Sequence, residues 1–175
     1  MIAEDAEPSL LGHHGAMHDT WLSCARIAIA AVLAAGLAGS CSSRIAGDAR
    51  RGVGTLAIST RSSLVLVNVE IAETDTARRA GLMNRTSLGA DSGMAFLFDG
   101  PTDSGFWMKD TLIPLSIAFW GSDDRIVAML DMRPCTSDPC PLYSPHASYV
   151  GALEVNLGYF AAHGVEVADS VEVGR

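Results

Sequence analysis

The side chains of this sequence that could do chemistry are polar groups at predicted strand ends, next to aromatic and aliphatic runs. Amine and guanidinium groups bind anions and carbonyl oxygens, and indole or phenol rings stack on sugars and peptides. Aromatic residues at strand spacing are also typical of a hydrophobic core, so a structural role stays open. The predicted ligand-binding residues are Arg85, Trp107, Lys109, Asp110, Thr111 and Tyr143.

Two further acidic residues, Asp131 and Glu154, are candidates for catalysis. A pair of carboxyl groups can hydrolyse a glycan by general acid–base chemistry. Ordinary ion pairs or surface positions are the alternative for both residues. The sequence contains no G-x-S-x-G elbow, no glycine-rich phosphate loop and no dinucleotide fingerprint. It therefore predicts no cofactor and leaves enzymatic activity open.

The segment from Ser104 to Trp120 concentrates the candidate groups. It contains aromatic residues, the only lysine of the chain, Lys109, and Pro114, which separates two apolar runs. Adjacent residues of a strand point to opposite faces, so Lys109 and Asp110 can enter one pocket only if the strand has ended. We expect a shallow aromatic-lined cleft near Phe106–Thr111.

The four cysteines of the chain divide into two groups. Cys24 lies in a predicted leader and Cys41 directly follows it, whereas Cys135 and Cys140 flank a short proline-rich loop. Two closely spaced cysteines in an oxidising compartment predict a small disulfide loop, whose role is to fix the shape of the loop. A zinc site would need two more ligands, so we predict no metal.

The N-terminal residues resemble a bacterial export signal. The apolar run Ala25–Gly39 is too short for a spanning helix and ends in small residues before Cys41. We predict a signal sequence over 1–40, within which translation starts at Met17 instead of Met1. A lipidated Cys41 and a tether over 41–53 follow it. A permanent N-terminal anchor is the alternative. Both place the domain on the extracytoplasmic face of a bacterial membrane.

Charge excludes one class of partner. The chain has 20 acidic against 12 Lys and Arg residues and a formal net charge of −8, and acidic side chains also outnumber basic ones after Cys41. A nucleic-acid surface needs a basic face that releases counterions. We therefore predict no nucleic-acid partner.

Short alternating apolar runs separated by turn signals predict the fold. Leu64–Ile71 alternates as a half-buried strand does, Gly93–Asp99 is apolar on both faces and predicts a central strand, and Thr74 and Gly81 bound a short helix. We predict one mainly β domain over 54–175, a compact antiparallel β-sandwich or barrel of about eight short strands with two short helices.

Several segments together resemble the bacterial and archaeal family called domain of unknown function 192, or DUF192. The resemblance implies a compact, mainly β domain that is often exported or tethered to a membrane and has no established activity. It covers Val65–Val173 and is carried by A-R-R-A-G-L-M-N-R-T-S-L (Ala77–Leu88), G-M-A-F-L-F (from Gly93), F-W-M-K-D-T (from Phe106), I-P-L-S-I-A-F (from Ile113), P-C-T-S-D-P-C-P-L-Y (from Pro134) and A-L-E-V-N-L-G (from Ala152).

Two positions depart from the family pattern. Asp110 stands where Asn is usual, and Ser116 stands where Asp is common. If those positions form a polar site in the family, this chain has moved its carboxylate from one to the other.

Three hypotheses for function follow. The first is a lipid-anchored envelope domain that binds a small molecule, a glycan or a protein partner. The second is an envelope glycan or peptide hydrolase that uses Asp131 and Glu154. The third is a purely structural or assembly role.

Overall fold

The computed structural model describes residues 51–175, which form nine strands and two short helices. The predicted signal sequence, Cys41 and all but the last three residues of the predicted tether lie outside the described residues. Within 51–175 no helix is long and apolar enough to cross a bilayer. The elements are β1 (Gly52–Ser59), β2 (Leu64–Ala72), α1 (Asp75–Ala80), β3 (Ser92–Thr102), β4 (Phe106–Trp107), β5 (Leu115–Trp120), β6 (Ile126–Met132), β7 (Leu142–Tyr143), β8 (Tyr149–Asn156), α2 (Tyr159–Ala162) and β9 (Ser170–Gly174).

Seven strands form one curled sheet in the order β6-β5-β8-β3-β2-β1-β9, and β4 pairs with β7 in a separate two-stranded ribbon. The two outer strands of the sheet meet at one end. There the Ile126 N–H donates to the Asp169 carbonyl (2.9 Å), and the Ala168 N–H donates to the Ile126 carbonyl (2.8 Å). The sheet is therefore a half-barrel, which confirms the mainly β prediction.

One strand pair differs from the predicted antiparallel arrangement: β2 and β3 are parallel. The connection between them contains α1, which starts where the Thr74 hydroxyl accepts the Ala77 N–H at 3.1 Å and ends at Gly81 with φ 43°. A parallel pair needs such a crossover because the chain must return to the starting end of the sheet. The sequence predicted both the strands and the helix but not the direction of pairing.

The concave face of the half-barrel carries an inner hydrophobic cluster. On β2 it takes Val65, Val67, Val69 and Ile71, as the alternation of that strand predicts. Helix α2 closes one end of the half-barrel, since Tyr159 and Phe160 belong to the same cluster. The remaining buried members are Leu56, Ile58, Ala95, Ala118, Trp120, Ile126, Leu153, Val155, Val165 and Val171.

An outer hydrophobic cluster lies on the opposite face of β3, β5 and β8, beneath α1 and the β4–β7 ribbon. Its centre is aromatic: the Phe106 ring lies edge-on to Phe96 (5.1 Å between centroids) and to Phe119 (5.5 Å), and Phe119 lies edge-on to Tyr149 (4.9 Å). Because both faces of the central strands are buried, β3, β5 and β8 read as nearly continuous apolar runs.

Candidate functional site

The residues predicted to line an aromatic cleft lie on both faces of the β4–β7 ribbon, one face toward the core and the other toward the surface. Phe106 lies opposite Tyr143, and Trp107 lies opposite Leu142. Directly opposed residues share a face, and successive residues alternate between faces. Phe106 and Tyr143 therefore point toward the outer cluster, whereas Trp107 and Leu142 point away from it. Leu142 is 56% exposed, so this outer face is largely apolar.

Trp107 and Lys109 lie together on that outer face. The Lys109 ammonium is 5.8 Å from the centroid of the Trp107 ring, within cation–π distance. The Trp107 Nε1 is buried and has no hydrogen-bond partner among residues 51–175, and it is the only polar atom of the indole. Any surface that this side chain exposes is therefore carbon. We call Trp107, Lys109 and Leu142 the ribbon surface.

The disulfide loop holds one side of the ribbon surface. Cys135 and Cys140 are bonded, with Cα atoms 5.8 Å apart, as the cysteine spacing predicted. Asp138 of this loop accepts a hydrogen bond from Lys109 at 2.8 Å. That bond and the charge of Asp138 raise the pKa of the Lys109 ammonium above its ordinary value. Asp138 was not among the residues predicted from the sequence, although its position between the two cysteines could have indicated it.

Asp110 and Thr111 serve the backbone instead of the ribbon surface. Asp110 is exposed and has a left-handed backbone conformation, with φ 53°. Its N–H donates to the Cys135 carbonyl (3.1 Å), and its carbonyl accepts the Asn84 N–H (2.8 Å). Apart from glycine, Asn and Asp are the residues that best tolerate this conformation, which explains why either can stand here. Thr111 is buried, with its hydroxyl 3.4 Å from the Lys109 carbonyl. Thr111 is therefore not placed to bind a ligand beside Trp107, whereas the charge of the exposed Asp110 helps to raise the pKa of Lys109.

Ser116 is part of a second polar cluster, on the concave side near α2. Its hydroxyl donates to Asp131 at 2.6 Å and accepts the Gly158 N–H at 2.9 Å. Asp131 thus supplies a carboxylate that binds the Ser116 hydroxyl.

The two candidate catalytic carboxyls are not brought together. On β5, Ser116 pairs with Asp131 on one side and with Val155 on the other, so all three point to the concave face. Glu154 precedes Val155 and therefore points to the opposite face, beside Met94 and Ile117. The body of the sheet separates the carboxyls, and paired-carboxylate hydrolysis has no geometric basis in these two residues.

Glu154 is buried in the outer cluster, 2% exposed. Burial in this apolar layer raises the pKa of its carboxyl group, because the charged form loses its hydration. A perturbed carboxyl at the centre of a sheet is a candidate functional group, but it is also what burial alone produces.

Arg85 lies away from the ribbon surface. Its guanidinium binds both carboxylate oxygens of Glu70, at 2.5 and 2.7 Å, and Arg51 binds the same carboxylate at 3.2 Å. Arg51 also donates to the Gly81 carbonyl at 2.9 Å. This network ties Arg51, which precedes β1, to β2 and to the residue that ends α1, and its members Glu70 and Arg85 line a cavity of about 520 Å³. The structure therefore places Arg85 in a separate site.

Of the six predicted ligand-binding residues, the structure brings only Trp107 and Lys109 together on an exposed face. Tyr143 supports them from beneath: its ring packs on the outer cluster and its hydroxyl accepts the Arg133 N–H at 3.1 Å. Within residues 51–175, no three His, Cys, Asp or Glu side chains are grouped so that they could hold a metal ion.

Comparison with known proteins gives a family but no activity. The family model DUF192, described as "Uncharacterized ACR, COG1430", matches residues 56–173. None of the curated proteins matches the chain.

Two crystal structures share the fold. One is a protein of unknown function from Novosphingobium aromaticivorans DSM 12444, with 31% identity and a TM-score of 0.65 over 69% of this chain and 84% of that chain. The other, from Sinorhizobium meliloti 1021, is described as a "putative transcription regulator"; it has 27% identity and a TM-score of 0.67 over 73% of this chain and 98% of that chain.

Proposed function

The chain belongs to the DUF192 family, and from that premise we propose that it is an exported, lipid-anchored domain of the bacterial envelope that binds an anionic glycan through the ribbon surface. The observation that carries the binding proposal is the position of the Lys109 ammonium, 5.8 Å from the Trp107 ring on one outward face. An apolar ring beside a cation is complementary to a sugar that bears a carboxylate.

Export and anchoring rest on the sequence before the domain and on the disulfide within it. Leu37–Cys41 resembles a lipobox and follows the apolar run Ala25–Gly39. A bonded pair, Cys135 and Cys140, is typical of oxidising compartments. The two features are independent, and both favour the extracytoplasmic side.

Lys109 is available to a ligand because its present partner holds it weakly. The side chains of Lys109 and Asp138 are 37% and 66% exposed, and an ion pair between exposed groups contributes little to stability because water screens both charges. A carboxylate of the ligand can replace that of Asp138 at little cost. The sugar ring then covers the carbon surface of Trp107 and contacts Leu142, which is otherwise exposed to water.

Lipid labelling of cells tests the anchor. We expect the full chain to incorporate a palmitate analogue in a bacterial host and the Cys41→Ala variant to lose it. Cys24→Ala is the matched control, because Cys24 lies inside the predicted leader and should not affect labelling. Equal labelling of wild type and Cys41→Ala would reject lipidation at Cys41.

Sedimentation with purified peptidoglycan tests glycan binding. We expect the full chain to sediment with peptidoglycan, whose muramic acid and stem peptides carry carboxylates, and not with chitin, a related polymer without them. Trp107→Ala and Lys109→Ala should each raise the Kd about ten-fold, the loss of roughly 1.4 kcal/mol that one good contact supplies.

Leu66→Ala is the matched control, since Leu66 is 54% exposed and lies on β2. Equal binding to chitin, or a Kd that the ribbon variants leave unchanged, would reject the anionic-glycan proposal. Absence of binding to either polymer would favour the structural role for this surface.

A further inference from the structure

The end of the half-barrel opposite to α2 opens into a cavity of about 640 Å³. Strand β8 runs from this opening, which Val150 lines, to the end that α2 closes. A volume between about 300 and 1,000 Å³ is typical of small-molecule sites, which often lie in the mouths of β-barrels. None of the residues predicted from the sequence to bind a ligand lines this cavity.

The wall of the cavity is a continuation of the inner hydrophobic cluster. Trp120 belongs to that cluster, and the half-buried side chains of Leu97, Val150 and Val173 pack against it. These residues come from β3, β5, β8 and β9, four strands that the curl of the sheet brings around one opening. A ligand in this position would therefore contact an apolar wall held on rigid strands.

The rim of the same cavity is acidic. Glu73, Asp99, Asp124 and Glu172 line it, and Arg175 is the one basic residue among the described lining residues. Arg175 pairs with Glu73, which leaves three carboxylates facing the opening without a lining cation. Several negative charges around a concave, apolar surface raise the local concentration of cations.

We infer that this opening, the acidic mouth, is a second binding site that takes a small organic cation with an apolar body. The apolar body contacts Leu97, Trp120, Val150 and Val173, and the cationic head lies among Asp99, Asp124 and Glu172. A body of the same size that bears a negative charge is excluded by repulsion from the rim. The site is independent of the ribbon surface and of the proposed anchor.

Titration with three ligands that share one apolar body tests the inference. The full chain in zwitterionic nanodiscs, with Trp21→Phe and Trp107→Phe to leave Trp120 as its only tryptophan, is titrated with 4-phenylbutylammonium, 4-phenylbutanol and 4-phenylbutyrate. Trp120 fluorescence reports binding because its ring lines the cavity. We expect a Kd for the cation at least ten-fold below that of the alcohol, and no saturable response to the carboxylate.

Variants separate the contributions of the rim and the wall. Asp99→Asn combined with Glu172→Gln should raise the Kd of the cation about ten-fold, and Val150→Phe should abolish binding by filling the cavity. Glu166→Gln is the control, an exposed carboxylate outside the mouth. Because Asp99 and Glu172 are exposed, their substitution should leave the thermal unfolding curve unchanged.

Three results would overturn the inference: similar affinity for the three ligands, an unchanged Kd in the folded rim variant, or saturable binding of the carboxylate. A basic peptide without apolar residues that binds as tightly as 4-phenylbutylammonium, and equally well to Val150→Phe, would also overturn it. In that case the rim alone would attract cations and the wall would play no part.

Discussion

At the scale of single residues, Phe106 and Trp107 are neighbours with opposite environments. Phe106 is fully buried among Phe96, Phe119 and Tyr149, whereas Trp107 is half-buried on the far side of the same ribbon. One strand can thus supply both a core residue and a surface platform. Their positions also decide what each contributes to stability.

Phe106→Ala should lower the free energy of unfolding by about 3–5 kcal/mol, because it removes a buried ring and leaves a cavity. Trp107→Ala should cost less, about 1–2 kcal/mol, since part of the ring already faces water and its N–H loses no partner within the described part of the chain. Urea unfolding of the two variants measures the difference. A larger loss for Trp107→Ala would mean that the indole belongs to the core and is not a platform.

Glu154 is a buried carboxyl group that makes the stability of the fold depend on pH. Burial raises the pKa of its carboxyl group above the ordinary 4.5, so the folded chain binds its proton more tightly than the unfolded chain does. The contribution to stability is fully present below pH 4.5 and is lost as pH rises through the folded pKa. A glutamine at position 154 has nearly the same shape and does not ionise, so its contribution to stability does not fall as the pH rises.

Glu154→Gln should therefore be more stable than wild type at pH 8, with a difference that shrinks toward pH 4. Urea unfolding at intervals across that range measures it. Glu172→Gln, which removes an exposed carboxylate of β9, is the control and should follow wild type. A difference that is constant with pH, or that grows toward acid, would contradict a raised pKa at Glu154.

At the scale of elements, β8 is the strand on which both clusters depend. It pairs with β3 on one side and β5 on the other, and it contributes Leu153 and Val155 to the inner cluster and Ala152 to the outer one. At Gly151 the Trp120 ring of β5 covers the strand. A Cβ atom placed there would lie 2.1 Å from the Trp120 Cζ2.

Gly151→Ala should lower the free energy of unfolding by about 1–3 kcal/mol, as overpacking of a rigid core does. Gly100→Ala in β3 is the matched control, because nothing lies within 4 Å of the added atom. Thermal and urea unfolding of both variants test the contact. Equal stability of the two would show that Trp120 can move away from β8 without loss.

At the scale of the whole molecule, the half-barrel and the ribbon differ in how they are held. Each strand of the curled sheet pairs over five or more residues with a neighbour, while β4 and β7 pair at two positions. Segments with few backbone pairs open at lower free energy than the body of a sheet. The ribbon surface is therefore carried by the less stable part of the fold.

Native-state hydrogen exchange should separate the two parts. We expect the amides of β3, β5 and β8 to exchange only through global unfolding and those of Phe106, Trp107 and Tyr143 to exchange through a local opening of lower free energy. A ligand on the ribbon surface should slow the second group alone. If the amides of the ribbon exchanged at the same free energy as those of β3, β5 and β8, the expected local opening would be contradicted.

The sequence was sufficient for the identity and order of most elements. These elements follow from local patterns, because residues close along the chain decide each of them. The patterns are the alternation along β2, the N-cap at Thr74, the helix end at Gly81 and the apolar run of β3. The disulfide was predictable for the same reason, because Cys135 and Cys140 are close along the chain.

The sequence by itself determined the mainly β fold class, the family resemblance and the Lys109-containing segment as a candidate site. Only the tertiary structure decided that β2 and β3 are parallel, that Asp131 and Glu154 lie on opposite faces of the sheet and that Arg85 binds Glu70. The physical reason is register: alternation tells which residues of one strand share a face, but pairing between distant strands decides which strands meet and what each face encloses. The acidic mouth, built from four strands, was for that reason invisible in the sequence.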